Sequence, residues 1–360
     1  MTTVKERQLW DSRFVKAIKT LAVGAPFREG LENILRAKMG ALILVGSSPQ
    51  SLSVVDGGFP VQCEYSPSSL YELAKMDGAI VLSGDLKQIL FANAQLVPDA
   101  NIFTSETGTR HRTAERVARQ TGAMVIAISQ RRNIISLYLG SLHYTLKDVS
   151  TILNSSNQAV QTLERYNNVL HKELNTLSAL EFENLVTLGD LANVIIRAEH
   201  VARISQQIDH YIIELGTEGH LIRMQMAEIM SNVDNVQLLI KDYCSVSETK
   251  TCDLIREQLR ALPVENLEPY AVCRLLGYGV TPNVIDVPVV PRGYRLLLQV
   301  RRLPLVVMDK LVEKFQTLPK LITATLEELD AVEGIGEIRS KMIKDGLKRV
   351  RAQVFLDDAI

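Results

Sequence analysis

Two short stretches of this chain combine residue types suited to holding a phosphorylated ligand. The first is Lys75-Met-Asp77-Gly78-Ala79. Asp77 offers a hard carboxylate oxygen of the kind that holds Mg²⁺ or Mn²⁺ together with phosphate oxygens. Gly78 permits a tight turn and close approach to a ligand. Taken alone, these residues read as a tight turn with Asp77 making local hydrogen bonds. The second stretch is Ser105-Glu-Thr-Gly108-Thr109-Arg110-His111-Arg112-Thr113-Ala114-Glu115-Arg116. Gly108 and Thr109 lead into a helix start, where free backbone N–H groups and the helix dipole favour an anion. Arg110 and Arg112 add forked donors that match phosphate oxygens. Thr109 and Thr113 can cap the helix, donate to phosphate, or both. Arg110, Arg112, Arg116, Arg119, Arg131 and Arg132 fall in a span whose only acid is Glu115. The plain alternative is a capped basic helix on a solvated surface, but so unbalanced a cluster at a helix start favours a phosphate site.

Other chemistries lack their parts. There is no GxxxxGK[ST] loop, no GxGxxG and no GxSxG elbow, which removes P-loop kinase, Rossmann dehydrogenase and serine hydrolase readings. His171, His200, His210 and His220 form no close ligand pair on one face, so packing or surface roles are expected of them. Cys63, Cys244, Cys252 and Cys273 are widely spaced with no CxxC, which argues against a disulfide scaffold or a thiolate zinc site and fits a reducing cytoplasm.

The elements that must position these residues alternate. Residues 41–46, 79–83, 124–129 and 134–138 are short, apolar and rich in branched side chains, as sheet-core strands should be. Residues 27–39, 68–76 and 112–121 read as amphipathic helices between them, the second starting near Pro67-Ser68-Ser69. Such alternation predicts an α/β layer fold. Further on, Val160, Leu163, Tyr166, Leu170, Leu174 and Leu177 repeat every three or four residues, one stripe of a long helix. Helical stretches follow at 191–215 and 220–243, with Gly216 and Gly219 as the break. A bundle that packs, spaces or oligomerises accounts for this middle region, which carries no catalytic constellation.

Charge and proline divide the 360 residues in the same places. Residues 1–150 hold 17 basic and 13 acidic side chains (+4), 151–286 hold 10 and 18 (−8), and 287–351 hold 13 and 8 (+5). No proline occurs between Pro98 and Pro263; Pro263, Pro269, Pro282, Pro288 and Pro291 then crowd together and read as a linker. Three domains are expected, at 1–150, 151–286 and 287–360. No basic start leads into a long apolar run, and nothing approaches the roughly 20 apolar residues of a membrane span, so neither secretion nor a membrane partner is expected.

The last segment contains Leu326-Glu-Glu-Leu329-Asp-Ala-Val332-Glu-Gly334-Ile335-Gly336-Glu-Ile338-Arg-Ser-Lys-Met342-Ile343. It resembles a helix-hairpin-helix motif. Ile335 would plug between the helices while Gly334 and Gly336 leave backbone N–H groups open to a phosphate. Arg339, Lys341, Lys344, Lys348, Arg349 and Arg351 add positive charge suited to a DNA backbone. The alternative is a helical hairpin used for protein contact. Arg301-Arg302-Leu303-Pro304 is a candidate start of a degenerate partner hairpin that lacks the glycine pair.

The strings LYELAKMDGAIVLS and ETGTRHRTAERVARQTG together resemble the paired signature of bacterial diadenylate cyclase domains. With the helical middle and the terminal hairpin, the resemblance extends over nearly the whole chain, to the DNA integrity scanning family. It implies a multidomain α/β plus all-α chain: an N-terminal α/β diadenylate cyclase domain with a central sheet, a helical spine, and a helix-hairpin-helix domain. It implies an enzyme that joins two ATP molecules into cyclic di-AMP with Mg²⁺ or Mn²⁺. Asp77 would bind the metal and help activate the attacking 3′-hydroxyl. Gly78 and Leu96 would line the nucleotide pocket, and Thr109, Arg110, His111, Arg112 and Thr113 would hold the triphosphate. Ser129, Arg131 and Arg132 are candidates for further phosphate contacts, with a basic turn between strands as the equal alternative. The resemblance further implies a homo-octamer with cyclase domains meeting at its centre, branched or junction DNA as partner, DNA binding that lowers cyclase output, and a bacterial cytoplasmic, nucleoid-associated location. A reading from another class remains open: a non-catalytic nucleotide sensor that binds branched DNA. The intact Asp77 and arginine motif favour the enzyme.

Overall fold

A computed structural model describes residues 10–231, 236–245, 249–279, 281–300 and 303–357. The chain packs into two compact units, one of Thr2–Gln158 with Ile208–Met224, the other of Ala159–Gln207 with Gln225–Ile360.

The first unit carries helices α1 (Ser12–Thr20), α2 (Pro26–Arg36), α3 (Pro49–Leu52), α4 (Pro67–Leu73) and α5 (Thr109–Thr121). Its strands are β1 (Ala41–Val45), β2 (Val55–Asp56), β3 (Phe59–Glu64), β4 (Ala79–Leu82), β5 (Gln88–Leu96), β6 (Met124–Ser129), β7 (Ile134–Leu139) and β8 (Leu142–Thr145). They form one mixed sheet in the order β2-β5-β4-β1-β6-β7-β8, with β3 also on β5. β1 and β4 run parallel, and β6 returns antiparallel beside β1. The four expected strands are all present. β2, β3, β5 and β8 are additions, and β5 alternates buried and exposed residues instead of showing a continuous apolar run.

Both faces of the sheet are covered, which explains why β1 is buried throughout. Ala41, Ile43 and Val45 join a core with Phe14, Ile18, Phe27, Leu31 and Leu70 of α1, α2 and α4. Leu42 and Leu44 point the other way, into a core with Ala114, Val117 and Ala118 of α5. That second core is lined with small side chains, including Ala79, Ala94 and Ala127 from the strands. Local signals set the helix ends. Asp11 accepts from the Phe14 N–H to start α1, Ser66 accepts from the Ser69 N–H to start α4, and Gly122 ends α5 in the left-handed conformation (φ 68°).

Two long helices follow, α6 (Val149–Glu183) and α7 (Leu188–Leu215). Most of the α6 stripe is core: Val160, Leu163, Leu170, Leu174 and Leu177 are buried, while Tyr166 is half-buried. α7 ends where expected, at a short 3₁₀ turn over Gly216–Gly219. In the first unit, Trp10 stacks flat on His210 with centroids 3.9 Å apart, and Tyr144 donates to Glu214 at 2.7 Å.

The remaining helices are α8 (His220–Met230), α9 (Val236–Tyr243), α10 (Thr249–Ala261), α11 (Pro269–Leu275), α12 (Tyr294–Leu298), α13 (Leu305–Phe315), α14 (Leu318–Thr323), α15 (Leu326–Asp330) and α16 (Glu337–Asp357). The proline-rich stretch is packed and is not an extended connector. Pro269 opens α11, Pro288 pairs with Thr187, and Leu267 and Val289 are buried. A buried polar cluster ties the second unit together. Asp242 accepts from the backbone N–H groups of Gly293, Tyr294 and Arg295 at the start of α12. Arg295 pairs with Glu181, which also accepts from Tyr243. Burial first, and then Glu181, pushes the Asp242 carboxyl up to about 7. Two cysteines that spacing kept apart are neighbours here: the Sγ atoms of Cys244 and Cys252 lie 3.4 Å apart, with no disulfide between them. Among the described residues no helix is long and apolar enough to cross a membrane. Arg301 and Arg302 lie outside the described residues.

Candidate functional site

Sheet register brings the first unit's motif residues to one end of the sheet. Ala79 pairs with Leu42, Ala41 with Ile128, Ser129 with Ile134, and Ala79 with Ala94 on its other side. Asp77 and Gly78 entering β4, Gly40 entering β1, Ser129 closing β6 and Leu96 closing β5 therefore share an edge. Arg110, in the first turn of α5, reaches the same edge with its guanidinium against Gly40.

Asp77 is exposed, as are Thr109, Arg110 and Arg112, while Thr113 is half-buried. Gly78 has φ +95°, and a Cβ there would stand 2.9 Å from the Asn93 backbone. The sheet itself therefore requires the glycine, because β5 passes too close for any side chain. Leu96 is buried in the α5-side core beside Ala79 and Val54. Among the described residues no three His, Cys, Asp or Glu side chains gather into a metal cage. Asp77 alone fits a cation that arrives carrying its own phosphate oxygens, with one protein carboxylate as ligand.

The six arginines divide by what they hold. Arg116 donates to the Ile102 carbonyl at 2.9 Å and Arg119 to the Phe103 carbonyl at 2.9 Å. Arg119 also pairs with Glu115 at 2.6 Å, and Glu115 accepts from Thr104 Oγ1 at 2.5 Å and from the Ser105 N–H at 3.2 Å. These three side chains fasten the loop that leads into α5. Arg131 and Arg132 lie on the exposed β6–β7 turn, where Ser129 Oγ accepts from the Arg132 N–H at 3.2 Å, so the Ser129 hydroxyl braces the turn. That leaves Arg110 and Arg112 as the exposed arginines at the helix start.

His111 differs from its neighbours in being buried, at 7% exposure. Its Nδ1 lies 2.9 Å from Tyr138 Oη, and Tyr138 donates to Glu106 Oε1 at 2.9 Å. His143 stacks on the Tyr138 ring with centroids 4.5 Å apart. Burial is the main cause lowering the His111 pKa; Arg132, His143 and Arg110 add to it and Glu106 opposes it. Burial, then Glu106, raises that of Tyr138 well above the ordinary tyrosine range. Sequence reasoning passed over Tyr138 and Glu106. The available signal was a tyrosine in an otherwise apolar buried strand, whose hydroxyl needs a partner.

In the second unit, α15 and α16 form the expected hairpin. Thr325 and Glu328 make a reciprocal capping box at the start of α15. Ile335 is buried at 6% exposure in the core between the helices. Gly334 (φ +88°) and Gly336 are exposed, with nothing within 4 Å of a Cβ at either. The Gly336 carbonyl accepts the first helical bond of α16, from Ser340 N–H at 3.0 Å, which aims the N–H groups of the next residues outward. Of the basic residues, Arg339 bonds the Gly334 carbonyl at 2.5 Å and Lys341 pairs with Glu337 at 2.7 Å, both exposed. Lys344 is half-buried and bonds the Ala324 carbonyl at 2.8 Å, bracing the hairpin from within.

Comparison with known proteins places the chain among relatives. The family described as DisA bacterial checkpoint controller nucleotide-binding matches residues 28–142, and the DisA bacterial checkpoint controller linker region matches 146–285. DNA integrity scanning protein DisA of Carboxydothermus hydrogenoformans is 53% identical over 345 residues, 95% of this chain and 98% of the relative. The protein of the same name from Bacillus subtilis is 51% identical over 341 residues, 94% of each chain. A solved structure of a DacA double mutant from Staphylococcus aureus aligns with a TM-score of 0.30 and 19% identity, over 38% of this chain and 91% of that one. With such identity held across almost its full length, the chain belongs to the DNA integrity scanning protein DisA family.

Proposed function

We propose that the chain is a diadenylate cyclase that condenses two ATP molecules into cyclic di-AMP and two pyrophosphates, joined to a hairpin that binds the DNA backbone. The observation that carries the first half is the shared sheet edge, where the Asp77 carboxylate and the arginine-bearing start of α5 converge. In each half-reaction a ribose 3′-oxygen bonds to the α-phosphorus of the other ATP as the bond to pyrophosphate breaks in line. Such chemistry asks the protein for positioning and charge neutralisation. The free N–H groups at the start of α5 and the Arg110 and Arg112 guanidinium groups supply donors for the triphosphate. Asp77 is the residue to hold Mg²⁺ or Mn²⁺, which when bound neutralises phosphate charge and acidifies a nearby hydroxyl. Gly78, Leu96, Thr109, His111 and Thr113 complete the nucleotide-facing set.

The product has two equivalent halves, so two domains facing across a two-fold axis suit the reaction, and each chain has one such domain. A homo-octamer satisfies that requirement. Gly334, Gly336, Arg339 and Lys341 would meet a phosphate backbone, with Ile335 held inside as the plug and its N–H bonded to the Val332 carbonyl; repetition around an oligomer would favour branched DNA through avidity. Incubating the purified chain with ATP and Mg²⁺ or Mn²⁺ and resolving the products chromatographically tests the reading. Cyclic di-AMP and pyrophosphate are expected, while binding of ATP without product under both metals leaves a nucleotide sensor and overturns the enzyme.

A further inference from the structure

The cluster behind His111 carries more than the phosphate motif asks of it. The Nε2 atom of this buried imidazole has no hydrogen-bond partner. A buried polar atom without a partner is destabilising, so in a native fold it calls for an explanation, of which a bound molecule that completes the bonding is one.

The protons of the cluster can be counted. Tyr138 has one hydroxyl proton and two close neighbours, His111 Nδ1 and Glu106 Oε1, each at 2.9 Å. The hydroxyl donates to Glu106 Oε1, so that proton points to Glu106. The phenol oxygen, which Ser136 also faces, must then accept from His111, and this puts a proton on Nδ1. The charged and titratable groups acting on the ring are Glu106, Arg132, His143 and Arg110, besides the Tyr138 phenol. Burial, with Arg132, His143 and Arg110, favours the neutral imidazole against the opposing Glu106. Nε2 is then a bare lone pair, and a triphosphate presents only acceptors to it.

We propose, on the reading that the start of α5 holds the triphosphate of ATP, that Tyr138 and Glu106 are positioning residues that hold His111 as the Nδ1–H tautomer, so that binding of ATP brings one solvent proton onto Nε2, which then donates to phosphate. No covalent bond changes other than the new N–H. A histidine free to carry its proton on Nε2 would bind phosphate with no uptake. Linkage then makes ATP binding tighten as pH falls from about 8 towards 7, approaching tenfold per unit.

The test uses the full chain and 3′-deoxyATP, which lacks the attacking hydroxyl and cannot be cyclised. Binding heats measured at pH 7.5 in PIPES and in Tris, buffers of different ionisation heat, give the protons taken up. Wild type is expected to take up about one proton more than His111→Asn. Tyr138→Phe keeps the ring and removes the acceptor for Nδ1–H, so its uptake should fall towards the His111→Asn level. ¹⁵N spectra of histidine-labelled free protein should show His111 as Nδ1–H in wild type, independently of any nucleotide. Uptake in wild type equal to that in His111→Asn overturns the proposal, as does a free protein whose His111 carries its proton on Nε2 while nucleotide binds normally. A chain that binds no nucleotide, with His111 still Nδ1–H, overturns the reading of the site and this proposal together.

Discussion

The guanidinium of Arg110 fills the place that a side chain at residue 40 would take: a Cβ on Gly40 would stand 2.5 Å from Arg110 Nη1 and 3.2 Å from the Ile128 carbonyl. Gly40 is not in a left-handed conformation, so the neighbouring guanidinium is what demands the glycine. Gly40→Ala should leave the fold intact, because the flexible end of an arginine can swing aside. It should weaken ATP binding roughly ten- to a hundredfold, the worth of a charge-assisted hydrogen bond of about 1.5–3 kcal/mol. Calorimetry with parallel thermal melting checks this; unchanged affinity would show that Arg110 contributes nothing from that position.

Asp77 is exposed and no core residue depends on it. Asp77→Asn keeps the shape, removes the charge, and should abolish nearly all cyclic di-AMP formation at unchanged melting temperature. Near-normal turnover in a clean, folded preparation would end its assignment as the metal ligand.

At the hairpin, a negative charge can be added without disturbing the fold. Gly336 occupies the N-cap of α16 in open space, a position that favours aspartate by up to about 1 kcal/mol. Gly336→Asp should hold or raise stability while placing a carboxylate where a DNA phosphate would sit. Binding to a four-way junction at low salt should fall at least tenfold. Retained binding would move the DNA surface elsewhere. This variant is cleaner than deleting residues 287–360, which would strip Asp242 and Glu181 of their buried partners in α12.

His210 predicts a pH dependence. Burial lowers its pKa from an ordinary 6.5 to about 4. As pH falls below 6.5 the unfolded chain takes up a proton that the folded chain refuses, so stability declines until about pH 4. Asp209 and Glu214, whose pKa values burial raises, act with the opposite sign. The comparison is therefore between wild type and His210→Phe, which keeps the ring stacked on Trp10. Between pH 7.5 and 5.0 the melting temperature of wild type should drop further than that of the variant; equal drops would contradict the assignment.

Much of the first unit was legible because its inner strands are continuous apolar runs. β5 was not: its alternation slips at Leu90 and Phe91, both half-buried, Asn93 adopts φ 52°, and a broken pattern resembles a loop. The start of α5 was legible as an anion site from Gly108, Thr109 and Arg110, but the division of labour among the arginines was not. Arg116 and Arg119 bind backbone carbonyls at Ile102 and Phe103, and carbonyls leave no trace in composition. For the same reason Cys244 and Cys252, and the partners Tyr138 and Glu106, became neighbours only through the fold.

The small side chains between α5 and the sheet set how the phosphate motif is lost. Ala114 and Ala118 rest on a floor that includes Ala79, Ala94 and Ala127, so the helix sits low over the strands. An added methyl or isobutyl group on that hidden side would act as a shim, lifting the whole helix and carrying Thr109, Arg110, His111 and Arg112 away from Asp77 together. Substitutions that disarm the site can thus arise at positions that never face a nucleotide.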